Sequence, residues 1–424
     1  MRRILMAKKE KKEKKGGKKL LKVLCIILAV IIGLGVIGFV MNRISVKSNR
    51  DFVKNSIKKV EYDAQLVPEL EDGVWTFTAD RDVKVLQLTD IHIGGGFMSV
   101  KKDNMALNAV EAMVTAEKPD LVVVTGDITY PVPFQSGTFD NKLSARTFAE
   151  LMEKLGVYWC FAFGNHDTEA YSLYTREDIA AVYEDSAKYP HCLFQSGPED
   201  VDGTGNYIIN FKNTAGKITR TLFMLDSHSY TDNDWFGVLW KYDCFHKNQV
   251  EWYENKLSEL TEKNGGETPK SLMFYHIPLL ETKEAYDEWA QAGFKDTANV
   301  RYISGNAGEH KTVVYSSTHN EGMFDAILAG GSTDGLFFGH DHLNTFAIEY
   351  KGVKMVYDYS IDYLAYVGIA KYGLQRGCTV ITISPDVSYD FAMENYYQDK
   401  YKPVSGKETV TMDQYNEDAG YIAK

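Results

Sequence analysis

Eight side chains of the kinds that hold metals or move protons follow short apolar runs in this 424-residue chain. They are Asp90 and His92 in Thr89-Asp90-Ile91-His92, Asp127 in Thr125-Gly126-Asp127, Asn165 and His166 in Gly164-Asn165-His166-Asp167, His276 after Tyr275, and His340 and His342 in Gly339-His340-Asp341-His342. Carboxylate, imidazole and amide donors without a thiolate suit Mn, Fe or Zn better than a sulfur-seeking metal. With His166 set aside, seven donors are too many for one tetrahedral ion, and they match two ions if one carboxylate bridges them. Two ions ~3.5–4 Å apart clamp the attacking and leaving oxygens of a phosphoryl displacement and lower the pKa of the water between them. A lone histidine at a strand end is usually structural, but five of the ten histidines occupy these positions. His191, His246, His310 and His319 lie in polar or loop contexts and keep the structural reading.

Such donors must be carried by a sheet whose strands end together, because ligands of open α/β sheets sit at the carboxyl edge. Val83–Leu88, Leu121–Val124 and Val157–Phe163 read as strands, with helices at Asn104–Glu117 and Phe148–Leu155 between them. This β-α-β-α-β opening predicts a partly parallel sheet with right-handed crossovers. Tyr207–Phe211, Thr221–Leu225, Leu272–Tyr275 and Leu336–Phe338 are further strands, and Gln249–Leu260 is an amphipathic helix. Phe346–Tyr350, Val353–Tyr357 and Thr379–Ile383 read as an antiparallel second half. The class is α/β.

Asp-x-His, Gly-Asp, Gly-Asn-His-Asp, an isolated His after a strand and Gly-His-x-His, in that order over residues 83–345, resemble the calcineurin-like metallophosphoesterase superfamily. Asp226-Ser227-His228 and His276-Ile277-Pro278-Leu279 resemble its purple acid phosphatase-related branch. The resemblance implies a four-layer α/β/β/α sandwich and two divalent or trivalent metal ions. It implies Asp90, His92 and His342 on the first metal, Asn165, His276 and His340 on the second, and Asp127 as the bridge. A hydroxide between the metals would attack phosphorus in line. His166 would protonate the leaving alkoxide, with Asp90 or Asp167 nearby to orient it. Tyr130, three residues after Asp127, occupies the position of the iron-ligating tyrosine of true purple acid phosphatases. Those enzymes lack the histidine that stands here as His92, so the two compete for one coordination position. His92 is favoured as ligand and Tyr130 as pocket wall.

Other residues carry two readings each. His228 could reach the cleft or cap a turn. Asp341 points away or holds an imidazole, and Asn344 touches substrate or makes a turn. Arg376 could bind phosphate through a bidentate contact. Trp235, Trp240 and Tyr242 read as a satellite core rather than a specificity insertion. Gly94-Gly95-Gly96 lacks the spacing of a nucleotide-binding fingerprint and lets backbone pass close to the metals. The five cysteines have no CxxC spacing, which excludes a zinc ribbon, and a Cys192–Cys244 disulfide is allowed.

Charge is sharply divided. Residues 1–50 hold 14 basic and 2 acidic residues, net +12, and the remainder is net -23. An acidic body excludes bulk nucleic acid binding. Val23–Met41 is 19 residues without a charge, which as a helix is roughly 29 Å long and matches the ~30 Å hydrocarbon layer. No A-x-A cleavage site follows, so an anchor is favoured over a signal peptide. The basic flank places the N-terminus in the cytoplasm and the body outside. The expected organisation is a basic tail (1–19), a transmembrane anchor (20–42), a stalk (43–82), a metallophosphoesterase domain (83–390) and an acidic, Tyr-rich tail (391–424). The expected activity is hydrolysis of a small phosphorylated substrate. Alternatives are a phosphodiesterase on nucleotides or envelope lipids, and a non-catalytic surface binding protein.

Overall fold

The computed structural model describes residues 1–234, 237–309, 312–366 and 376–407. Trp235, His310 and the end of the tail lie outside the described residues. The chain begins with α1 (Arg2–Ser56), then β1 (Glu69–Glu71) and β2 (Val74–Thr78). The opening crossovers are β3 (Val83–Leu88), α2 (Val100–Glu117), β4 (Leu121–Thr125), α3 (Pro133–Ser136), α4 (Asn141–Leu155) and β5 (Trp159–Ala162). There follow α5 (Arg176–Tyr183), β6 (Tyr207–Lys212), β7 (Ile218–Met224), α6 (Lys247–Lys263), β8 (Lys270–Phe274), α7 (Leu280–Gln291), β9 (Val300–Ser304) and α8 (Met323–Gly330). The last strands are β10 (Thr333–Phe338), β11 (Ala347–Tyr350), β12 (Val353–Tyr357), β13 (Gly377–Ile383) and β14 (Tyr389–Asn395).

Two sheets result. The smaller has the order β14-β13-β3-β4-β5, and the larger β1-β2-β6-β7-β8-β10-β12-β11-β9. Leu86 and Leu88 of the smaller sheet share one core with Leu222, Met224, Leu272, Phe274 and Phe337 of the larger. A second core lies between the larger sheet and α6, α7 and α8. The result is a mixed α/β sandwich with helices outside and apolar strands within, as β4 (Leu-Val-Val-Val-Thr, buried throughout) requires.

The strands β3, β4 and β5 are parallel, so their carboxyl ends share one edge. The second half differs from its expected antiparallel form. β11 and β12 are antiparallel, but β8, β10 and β12 are mutually parallel. β13 leaves them to pair with β3, because its alternating pattern fits the open edge of the smaller sheet.

Residues 43–82 do not form a stalk. α1 continues to Ser56 and lies on α2 and α4, with Val46, Val53, Ile57 and Val60 buried. β2 then joins the larger sheet beside β6. Residues 391–407 likewise pack on the domain, with Tyr396 and Tyr401 buried. Cys192 is buried, Cys244 is half-buried, and both are free thiols, so the allowed disulfide does not form.

Candidate metal centre and its cleft

Backbone geometry at the strand ends throws the donors into one place. Asp90, His92, Asp127 and His340 all have positive φ, a conformation that Asp and His adopt more readily than most residues and that clusters at functional sites. Gly126 (φ +86°) cannot be replaced there, since an added Cβ would stand 2.5 Å from the His276 ring.

One ligand atom each from Asp90, His92, Asp127 and His342, all buried, lies within 4.8 Å of the others. His276 joins them, with Nε2 3.1 Å from Asp127 Oδ2 and 4.0 Å from Asp90 Oδ1. The His340 ring stands 5.2 Å from that of His276, and the His340 N–H donates to Asp90 Oδ2. Asn165 donates to the Tyr230 hydroxyl and leaves its Oδ1 buried without a hydrogen bond. Asp90 Oδ1 and His276 Nε2 are also buried without a hydrogen bond. Buried polar atoms of this kind are costly unless something pairs with them. Asp90 Oδ1 and His276 Nε2, 4.0 Å apart, fit a site for cations.

The tautomers agree. His276 donates from Nδ1 to the Thr125 carbonyl (2.7 Å), which in the neutral ring leaves the Nε2 lone pair on the side of Asp127 for a cation. Asp362 stands behind two further rings. Its carboxylate lies 3.2 Å from His92 Nδ1 and 3.5 Å from His342 Nδ1, so both Nε2 atoms face Asp127 and Asp90. Burial pushes the Asp127 and Asp362 carboxyls up, but neighbouring imidazoles (His276 and His166 for Asp127, His92 and His342 for Asp362) draw both well below the usual carboxylate range. Burial lowers His276, and Asp127 more than reverses this, to about 9. Burial and His276 together hold His340 well below the usual imidazole range. The neutral His340 keeps a lone pair for coordination.

His166 stands over this cluster. Its N–H donates to Asp127 Oδ1 (2.8 Å), and its Nδ1 lies 2.6 Å from Glu169 Oε1. Glu169, not Asp90 or Asp167, therefore orients the imidazole. Asp167 accepts from the N–H groups of Asp127, Gly164 and Thr129 and ties two strand ends together. Burial and Asp127 raise its carboxyl to about 6. The Tyr130 ring stacks on His92 (4.7 Å), and its hydroxyl donates to Gln135 (2.7 Å), so it forms a wall.

The cleft above holds about 300 Å³ and is lined by Tyr130, His166, Tyr230, Trp240, Tyr242 and Tyr366 among others. Trp240 and Tyr242 are thus walls of the cleft and not a satellite core, with the Tyr242 ring edge-on to His340 at 4.4 Å. Arg376, His228 and Asn344 stay out of the cleft, whereas Asp341 is part of its lining. Arg376 is buried and donates to the Ile361 and Asp362 carbonyls and the Tyr397 hydroxyl. It positions the Asp362 loop and is not placed to grip phosphate. His228 stacks on His246 and meets Gln249 through Nε2 (2.8 Å). Asp341 accepts from the Tyr315 N–H and the Tyr357 hydroxyl, and Asn344 fastens residues 308, 309 and 313.

Sequence reasoning missed Asp362 and Glu169. Asp362 had a usable signal, an acid shortly after strand Val353–Tyr357, the same pattern that exposed the other donors. Glu169 had none, since a glutamate in a polar loop is ordinary.

Residues 83–344 match the family model for the calcineurin-like phosphoesterase. The chain is 30% identical over 317 residues to "Probable inactive purple acid phosphatase 14" of Arabidopsis thaliana, covering 68% of this chain and 73% of that one. It is 27% identical over 335 residues to "Probable inactive purple acid phosphatase 29" of the same plant, covering 72% and 78%. It is 27% identical over 310 residues to "Phosphatase DCR2" of Saccharomyces cerevisiae, covering 69% and 48%. A dimetal phosphatase from Danio rerio superposes with a TM-score of 0.46 at 11% identity, covering 75% of this chain and 97% of that one, too weakly to bear on function.

Proposed function

Because this chain belongs to the calcineurin-like phosphoesterase family, we propose that it hydrolyses phosphate esters with two bound metal ions while α1 holds it in a membrane. The observation that carries this reading is the buried quartet Asp90, His92, Asp127 and His342, its ligand atoms within 4.8 Å of one another. Asp90, His92 and His342 would hold one ion, Asn165, His276 and His340 the other, and Asp127 would lie between. Bound there, Mn, Fe or Zn would supply Lewis acidity and a water of lowered pKa. The chain does the rest. Asp362 and the Thr125 carbonyl fix the imidazoles. His166, its Nδ1 held by Glu169, presents Nε2 to protonate the leaving oxygen. The ring-lined walls bound the cleft above the reacting groups.

Lys18–Ser56 is long and apolar enough to cross a membrane, and its apolar window is wholly exposed. With the basic cluster at its N-terminus, the reading that follows is a single-pass anchor, N-terminus cytoplasmic and domain outside. The names of the plant relatives, "probable inactive", favour a second reading, a non-catalytic phosphate-ester binder on the same fold. The complete donor set weighs against it.

The test is hydrolysis of nitrophenyl phosphate and bis-nitrophenyl phosphate by the full chain in detergent, after chelation and reloading with Mn, Fe or Zn. Activity restored by metal supports the enzyme, and the preferred ester separates phosphatase from diesterase. Metal bound at two equivalents with neither ester cleaved would favour the binding protein.

A further inference from the structure

The register of α1 against α4 decides which way the cleft faces. Asn42 donates to the Gly137 carbonyl and accepts from the Phe97 N–H, both at 3.0 Å, just before α4 begins. Arg50 forks onto Glu150 within α4. Val60 N–H donates to the carbonyl of Leu155, the last residue of α4 (2.9 Å). The two helices therefore run in the same direction. As the crossover between the parallel strands β4 and β5, α4 starts at their carboxyl edge, where Asp127 and Asn165 stand. α1 thus reaches the domain at the edge that carries the metal centre.

The charge-free run Val23–Met41 ends one residue before Asn42. No slack linker lets the domain turn, because helix continues through Asn42 and Asn49 donates from the same helix to the buried Asp103 (2.9 Å). Asp103 in turn accepts from the N–H groups of Gly94 and Gly95, directly after the ligand His92 and its neighbour Ile93.

Around this junction the domain exposes an apolar collar. Phe134 is 89% exposed, Leu173 64% and Met98 52%, and Phe97 and Phe139 are also exposed. Leu173 N–H donates to the Phe139 carbonyl, and Phe97 adjoins Gly137. Gln135, next to Phe134, accepts from Tyr130 of the cleft wall. Contiguous exposed apolar side chains mark an interaction surface, and here they are continuous with the apolar span.

We propose that this collar rests in the lipid interface beside the span, and that the cleft takes its phosphate ester from a lipid headgroup of the same membrane. The proposal rests on the reading of α1 as an anchor and of the cleft as a phosphoesterase site. Aromatic rings suit that depth, where one edge is apolar and the other wet. Tethering at fixed orientation gives the headgroups a high effective concentration at the cleft. The reaction adds water across one P–O ester bond, the phosphorus keeping the water's oxygen and the leaving oxygen taking a proton from His166, with no change of oxidation state.

The experiment uses the full chain in nanodiscs of phosphatidylcholine and phosphatidylglycerol. A polarity-sensitive fluorophore is placed on Phe134→Cys or, at the far end of α4, on Lys154→Cys, with Cys25 and Cys244 replaced by serine. Emission at position 134 should shift to the blue and be quenched by brominated lipid, while position 154 stays water-like. In parallel, Phe134→Ser/Leu173→Ser should cut headgroup phosphate-ester release about tenfold and leave soluble bis-nitrophenyl phosphate within about twofold. Equal, water-like emission at both positions in a chain that resists carbonate extraction would overturn the proposal alone. A chain stripped by carbonate would overturn the anchor reading and the proposal with it. Cleavage of the soluble ester by a chain whose collar lies in lipid, without lipid cleavage, would refute the lipid substrate and leave the phosphoesterase intact.

Discussion

Asp362→Asn should loosen one metal and spare the other. The wild-type carboxylate serves two imidazoles, His92 at 3.2 Å and His342 at 3.5 Å, both assigned to the first ion. It also accepts from the N–H groups of Leu364 and Ala365. Asparagine keeps one oxygen for the backbone and one imidazole, and loses the charge and one acceptor. Loss of such an outer partner costs about 10–100-fold in metal affinity, or ~1.4–2.7 kcal/mol. The second ion of the proposed pair would depend on Asn165, His276 and His340, whose best-defined support is the Thr125 carbonyl behind His276, and should be unchanged. The assay is metal content per chain after dialysis against a graded series of chelator, with circular dichroism to verify the fold. One equivalent should leave at about 10–100-fold lower chelator strength, the second at the wild-type point. Two equivalents leaving together, or no change in either, would refute the role given to Asp362.

Asp127→Asn should abolish tight binding of both ions, measured as metal below one equivalent after dialysis. His166→Ala should retain both ions yet lower kcat on an unactivated ester by about 10²–10⁴, and full activity would remove His166 from the reaction. Glu169→Gln should lower kcat less than His166→Ala and leave metal content unchanged, since its carboxylate meets the far nitrogen of the ring and the Tyr230 hydroxyl. Arg176→Met should destabilise the fold by about 3–5 kcal/mol at neutral pH, because it strands the buried Asp226 carboxylate. Burial raises the Asp226 carboxyl, and Arg176 with other partners brings it below the usual value. Its stabilisation is therefore present above the unfolded value of ~3.9 and is lost as pH falls through the depressed folded value. The stability gap between wild type and variant, read by urea unfolding, should close as pH drops from 7 toward 3.

How far the sequence reaches is seen at particular residues. The quartet Asp90, His92, Asp127 and His342, whose ligand atoms the fold gathers within 4.8 Å, was legible because each residue follows a strand, and strand period and strand end are local properties. So were the α/β class and the parallel opening. Arg376 was open to a phosphate role because a guanidinium can make a bidentate contact, and only packing shows it turned onto the Asp362 loop.

The sequence by itself determined the chemistry that can be assembled, since donor types and their places on strand ends leave few alternatives to an oxygen- and nitrogen-ligated metal site. Tertiary structure decided what surrounds that chemistry. Glu169 rather than Asp167 behind His166, Asp362 shared by two imidazoles, Trp240 and Tyr242 as cleft walls, and α1 laid along α4 all depend on side-chain direction and on contacts between distant segments. Hydrophobic periodicity encodes which face of an element is buried. It carries no record of which partner covers that face, and the direction of the cleft follows from that partner.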